Sequence, residues 1–110
     1  MSIKQLPPSQ RKSYRYLKFR VHSEKKVDTG EIVDAVWKST LKFLGTKEAA
    51  ETDFWLLGDK YGEETQEGVI KVRKNKLDEL RASLTLVNEV SGEEVFIQVI
   101  KTSGSIKSLN

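Results

Sequence analysis

Five cations crowd a short stretch near the start of the chain: Arg11, Lys12, Arg15, Lys18 and Arg20. Tyr14, Tyr16 and Phe19 are interleaved with them, and no acid falls between Pro7 and Arg20. Cations attract phosphate oxygens, and aromatic faces stack on unpaired bases, so this mixture suits a nucleic acid with exposed bases. A solvated strand carries the same residue types, and charge alone leaves both readings open. Lys71, Arg73, Lys74 and Lys107 complete the candidate set of phosphate-binding cations.

Other chemistries find little support. The chain has no cysteine and a single histidine, His22. This excludes a disulfide framework, a thiolate metal site and a cysteine nucleophile. It also leaves a Ser-His-Asp triad without sequence context. The acids Asp59, Glu63, Glu64 and Glu67 sit in a glycine-containing loop, but their spacing lacks the ligand order of a calcium loop. No glycine-rich phosphate cradle occurs. Trp37 and Trp55 fall in apolar runs and read as packing or interface residues. The expectation is a protein with no catalytic residue, no bound metal and no bound cofactor.

The net charge of +3 hides a strong asymmetry. Residues 1–26 hold eight Lys/Arg and one acid, residues 27–68 four and ten, and residues 69–110 seven and five. Cations gathered in one segment make a local field that attracts phosphate. No apolar run reaches the roughly 18–20 residues that span a bilayer, and the N-terminus lacks the apolar core of a secretory signal. A cytoplasmic protein with no membrane partner is expected.

The elements that must position these residues follow from periodicity. At 110 residues the chain suits one domain. Pro7-Pro8 bars helix, so residues 1–13 read as an extended basic arm. From Tyr14 to His22 polarity alternates: Leu17, Phe19 and Val21 point one way, Tyr16, Lys18, Arg20 and His22 the other. Asp28 and Glu31 form a capping box ahead of a helix whose apolar face is Val33, Val36, Trp37, Leu41 and Leu44, stopped by Gly45. A helical turn over "TKEAAET" and a strand over "DFWLLGD" come next. "EGVIKVRK" alternates as a third strand. "NKLDELRASLTLVNEVSG" reads as a helix capped by Asn75, striped by Leu77, Leu80, Leu84 and Val87, and closed by Gly92. "EVFIQVIKTS" is the last strand.

The order strand, helix, strand, strand, helix, strand is that of an α+β, ferredoxin-like or RRM-like βαββαβ sandwich. It implies a single domain over 14–103, a tail over 104–110, and a four-stranded antiparallel sheet in the order 4-1-3-2. Right-handed crossovers put the two main helices on one face. The open face then carries Tyr16, Lys18 and Arg20 from the first strand and Val69, Lys71 and Arg73 from the third. It also carries apolar surface, from one of Phe54 and Trp55 and from either Phe96 and Ile100 or Val95, Ile97 and Val99; such surface suits a protein partner, for which Trp55, Leu57, Phe96 and Ile100 are the candidates. The third strand lacks the aromatics by which a common RNA-recognition motif stacks bases. A protein-interaction module without RNA contact, and a small ligand-binding regulatory domain, are the rival readings.

The segments "LPPSQRKSYRYLKFRV", "EIVDAVWKSTLKFLG", "AAETDFWLL", "EGVIKVRKNKLDELRASLTLV" and "VIKTSGSIKSL" together resemble the archaeal ribonuclease P protein component 2 family, related to the eukaryotic Pop-five/Rpp-fourteen group. The resemblance runs in order over about residues 6–109. It implies a ferredoxin-like fold and a noncatalytic subunit of the ribonucleoprotein that removes the 5′ leader of precursor tRNA. It implies an RNA catalyst whose magnesium is held by RNA phosphates. It also implies pairing with ribonuclease P protein component 3, two such pairs forming a heterotetramer, and contact with the other ribonuclease P proteins. The family's N-terminal pattern falls on Arg11, Arg15, Tyr16 and Lys18. Its C-terminal pattern falls on Ser103, Gly104, Ser105, Ile106 and Lys107, with Ser105 where the family usually has threonine.

Overall fold

The computed structural model describes residues 13–109. Strand β1 (Tyr14–Ser23) leads into α1 (Thr29–Leu44) and the short α2 (Thr46–Glu51). Strand β2 (Trp55–Leu56), a 3-10 turn at Gly58–Lys60 and β3 (Glu67–Arg73) follow. A 3-10 turn over Lys74–Lys76 opens into α3 (Leu77–Thr85). Strands β4 (Glu89–Val90) and β5 (Glu93–Ser103) and a final 3-10 turn at Lys107–Leu109 complete the chain.

The sheet is antiparallel in the order β2-β3-β1-β5-β4. Its first four members keep the expected arrangement, but five strands and three helices replace the four and two expected. The extra strand comes from "EVSGEE". Ser91 and Gly92 both adopt positive φ, +50° and +83°, as a two-residue type I′ hairpin demands. The helical segment therefore stops at Thr85, and Val90 turns back to pair with Glu93. Gly92 serves that hairpin rather than ending a helix.

Strand β1 lies at the centre because its alternation is clean. Leu17, Phe19 and Val21 are buried beneath Ile32 and Val36 of α1 and Leu80 and Leu84 of α3. Opposite Phe19 stands Gly68. A Cβ there would sit 2.8 Å from Phe19 Cζ and 3.1 Å from Tyr61 Cδ1, so the aromatic ring occupies the space a side chain would need. Gln66, at φ +55°, joins three elements. Its amide oxygen accepts from Val27 N at 2.8 Å, and its amide nitrogen donates to Val21 O at 3.2 Å and Ser23 Oγ at 3.0 Å.

Helix α1 starts where expected. Asp28 accepts from Glu31 N at 2.8 Å, and Glu31 accepts from Asp28 N at 3.1 Å. The Ser91 hydroxyl and the Asp28 backbone together hold the Glu31 carboxyl below its ordinary range. The buried line of α1 differs from expectation: it is Ile32, Val36 and Thr40, while Val33 and Trp37 are exposed. The helix is rolled toward α3, where Ser39 Oγ donates to Ser83 O at 2.6 Å. Thr40 tolerates burial because its hydroxyl donates to Val36 O at 2.7 Å. Trp37 turns instead to Phe54, ring centroids 5.9 Å apart. Asn75 is not a cap either. It lies inside the 3-10 turn that begins when Lys74 N bonds Ser13 O, and α3 starts without a side-chain cap.

Candidate nucleic-acid interface

Strand pairing lays the outer face of the sheet out in rows. Arg73 stands opposite Tyr14. The next row is Trp55, Lys71, Tyr16 and Ser103, followed by Val69, Lys18 and Lys101. Glu67, Arg20 and Gln98 come next, then His22 and Phe96. Cross-strand partners share a face, so the alternation of β1 carries its cations outward together with those of β3 and β5.

The row positions have distinct electrostatics. Lys18 Nζ lies 3.6 Å from Glu67, which partly neutralises it. Arg20 is exposed and, among the described residues, makes no ion pair or side-chain hydrogen bond. Lys71 Nζ sits 4.3 Å over the Tyr14 ring, a cation–π contact that leaves its charge available. Tyr14 OH donates to Asp53 Oδ2 at 2.6 Å. That bond, followed by burial and the Asp53 charge, raises the phenol above its ordinary range, against a smaller opposing effect of Arg73. Arg73 Nε is buried without a hydrogen-bond partner among the described residues.

The remaining expected residues are scattered. Arg11 and Lys12 lie outside the described residues. Arg15 has the parity of Leu17 and pairs with buried Val72, so it belongs to the helix side of the sheet. There its Nη1 donates to Tyr14 O at 2.9 Å, and its guanidinium rests beside Gly104. It is thus separated from Lys18 and Arg20. Lys74 is exposed in the turn after β3, and Lys107 is exposed in the last turn. Val69 is buried although it points outward. The C-terminal segment folds back there: Ile106 and the buried Leu109 line one hollow with Lys18, Gly68 and Val69.

Among the apolar candidates, Trp55 is 68% exposed, Phe96 56% and Ile100 42%. Leu57 is half-buried, its N–H bonded to Val69 O at 2.9 Å. Trp55 and Phe96 occupy opposite corners of the outer face. Lys101 is a cation of this face that alternation misses. A bulge shifts the β1–β5 register between Lys18 and Phe19, leaving Ile100 unpaired and placing Lys101 opposite Lys18. Simple alternation from Val95, Ile97 and Val99 would send Lys101 inward, so nothing in the pattern marks it. Among the described residues, no three His, Asp or Glu side chains converge on a metal-holding geometry. No helix of the described chain is long and apolar enough to cross a membrane.

Comparison with known proteins places this geometry in context. The model of the Rpp14/Pop5 family matches residues 15–110. A protein of Pyrococcus furiosus named ribonuclease P protein component 2 is 39% identical, over 96% of this chain and 87% of that protein. One of the same name from Thermococcus kodakarensis is 36% identical over the same shares. Among solved structures, a chain in the cryo-electron-microscopy structure of yeast ribonuclease MRP superposes with a TM-score of 0.67. The match covers 87% of this chain and 77% of that one at 12% identity, and speaks for the fold.

Proposed function

Because the chain belongs to the Rpp14/Pop5 family, we propose that it works as protein component 2 of ribonuclease P and holds RNA on the cationic outer face of its sheet. It is a subunit of the ribonucleoprotein endoribonuclease that matures the 5′ end of tRNA. RNA is the catalyst, and the protein's task is binding. The observation that carries this reading is 39% identity to the Pyrococcus furiosus component over nearly the whole chain.

Lys18, Arg20, Lys71, Arg73 and the neighbouring Tyr16 are the RNA-facing group on the sheet, with Lys74 at one end and Lys107 on the tail. Arg11 and Lys12 extend the positive charge along the chain. Arg15 contributes from the helix side of the sheet. Magnesium stays with the RNA phosphates. The four-strand arrangement β2-β3-β1-β5, with α1 and α3 against its inner face, supports reading the fold as ferredoxin-like with an added hairpin strand. Trp55, Leu57 and Ile100 offer apolar surface to a protein partner. Component 3 and a heterotetramer of two pairs fit that role, and the cytoplasm is its setting.

The test is reconstitution with an archaeal ribonuclease P RNA and the other protein subunits, scored by precursor-tRNA cleavage. Adding this chain is expected to raise activity. Unchanged cleavage would refute the assignment.

A further inference from the structure

Of the exposed apolar residues on the outer face, Phe96 is built differently. Its ring lies against the His22 ring with centroids 4.5 Å apart and planes 10° from parallel. The two residues are cross-strand partners on β1 and β5, so the backbone itself brings the rings together. His22 is held in turn: Nε2 lies 2.8 Å from Gln98 Oε1, whose residue neighbours Phe96 on the same face. The outcome is a pre-stacked pair of flat rings, fixed in orientation before any ligand arrives, with Phe96 still 56% exposed. A hydrophobic contact with protein has no need of such an arrangement, since any apolar shape can serve it.

The charges around the pair have a direction. Arg20 lies one row away between Glu67 and Gln98, with Lys18, which Glu67 partly neutralises, and Lys101 in the row beyond it. Glu94 lies on the other side, two residues before Phe96, opposite Glu89. A polyanion crossing this corner therefore runs on the Arg20 side, and what reaches Phe96 must be an uncharged planar group projecting from it. An unpaired nucleobase has that form: charge on its backbone, a π face at the end of a short arm. A paired base keeps its faces inside the duplex.

Resting on the RNA-binding reading above, we infer that the His22–Phe96 pair is a stacking platform for one unpaired RNA base, whose flanking phosphates lie toward Arg20 and Lys101. The platform sits on the first and last strands, away from the third-strand position where the absence of aromatics argued against base stacking.

The experiment uses the full chain and a short single-stranded RNA carrying one 2-aminopurine, with its fully paired duplex as the second probe. Wild type is expected to quench 2-aminopurine in the single strand and to bind the duplex more weakly. Phe96→Leu keeps an apolar side chain but removes the ring. It should weaken single-strand binding about 5- to 150-fold, the range for losing one base stack, and abolish the quench. The salt dependence should stay as in wild type, and Phe96→Tyr should restore binding. Unchanged quenching and affinity in Phe96→Leu would overturn the platform while leaving RNA binding intact. So would Phe96→Leu failing only in capture of a partner protein, which would assign Phe96 to a protein interface. Absence of RNA binding by wild type would defeat the underlying reading instead.

Discussion

Neutralising Arg20, Lys71 and Lys101 together is the sharpest test of the outer face as a phosphate surface. Each is placed outward by strand pairing, and among the described residues none is in an ion pair. If each meets one phosphate, replacing all three by glutamine removes three counterion-release contributions. The slope of log affinity against log salt should become shallower by roughly 2–3 units, at about 0.7–0.9 per contact. Over a fourfold rise in salt, wild type should then lose about 20- to 40-fold more affinity than the variant. Lys18 offers an internal check, because Glu67 stands 3.6 Å away. Lys18→Gln should flatten the slope by less than a full contact, and Glu67→Gln should steepen it. Arg81, whose Nη2 donates to Thr102 Oγ1 on the helix side, is the control. Filter binding or anisotropy across a salt series reads all of this. A triple variant with the wild-type slope, or an Arg81→Gln variant with the larger effect, would refute the assignment of RNA to this face.

Gly68→Ala should lower stability by about 1–3 kcal/mol in denaturant melts, since the new methyl meets the Phe19 ring in a packed core. A variant as stable as wild type would show that the ring has room to move. Leu109→Ala should cost about 2 kcal/mol and expose Val69 and Lys18 to solvent, visible as faster amide exchange in β3. Unchanged exchange would mean the tail does not hold that face. Glu31 is held below its ordinary range, so its contribution to stability is present above the usual glutamate value of about 4.3 and is lost as pH falls through the lower folded value. Thermal melts in acid should therefore fall less steeply for Glu31→Gln than for wild type, and an identical acid slope would rule that contribution out.

The division of β1 into core and ligand-facing residues was legible because its alternation is unbroken from Tyr16 to His22. The capping box at Asp28 was equally plain, since its two hydrogen bonds are local. What escaped depends on packing between elements. The roll of α1 toward α3 decides that Thr40 is buried and Trp37 is not, and no single-helix pattern encodes that roll. The β4 hairpin hid behind a run of helix formers, although Ser91-Gly92 was a two-residue turn signal. Arg15 belonged by parity with Leu17, but its charge drew it into the ligand group. The basic outer face was foreseen in outline; Lys101 was added only by the bulge, and the His22–Phe96 stack only by the pairing of β1 with β5.

The bulge at Ile100 also bears on how the chain can change length. It is a phase step in an otherwise two-residue rhythm, letting Val95, Ile97 and Val99 face the core while Lys101 faces out. Deleting that one residue would restore an unbroken rhythm with Val99 still inward and Lys101 still outward, so the bulge is one residue of slack in β5. An insertion at the Ser91-Gly92 tip would lengthen only a loop. Two one-residue changes nine residues apart, a deletion at Ile100 and an insertion at the hairpin tip, would thus both leave the inward and outward sets of β5 in place.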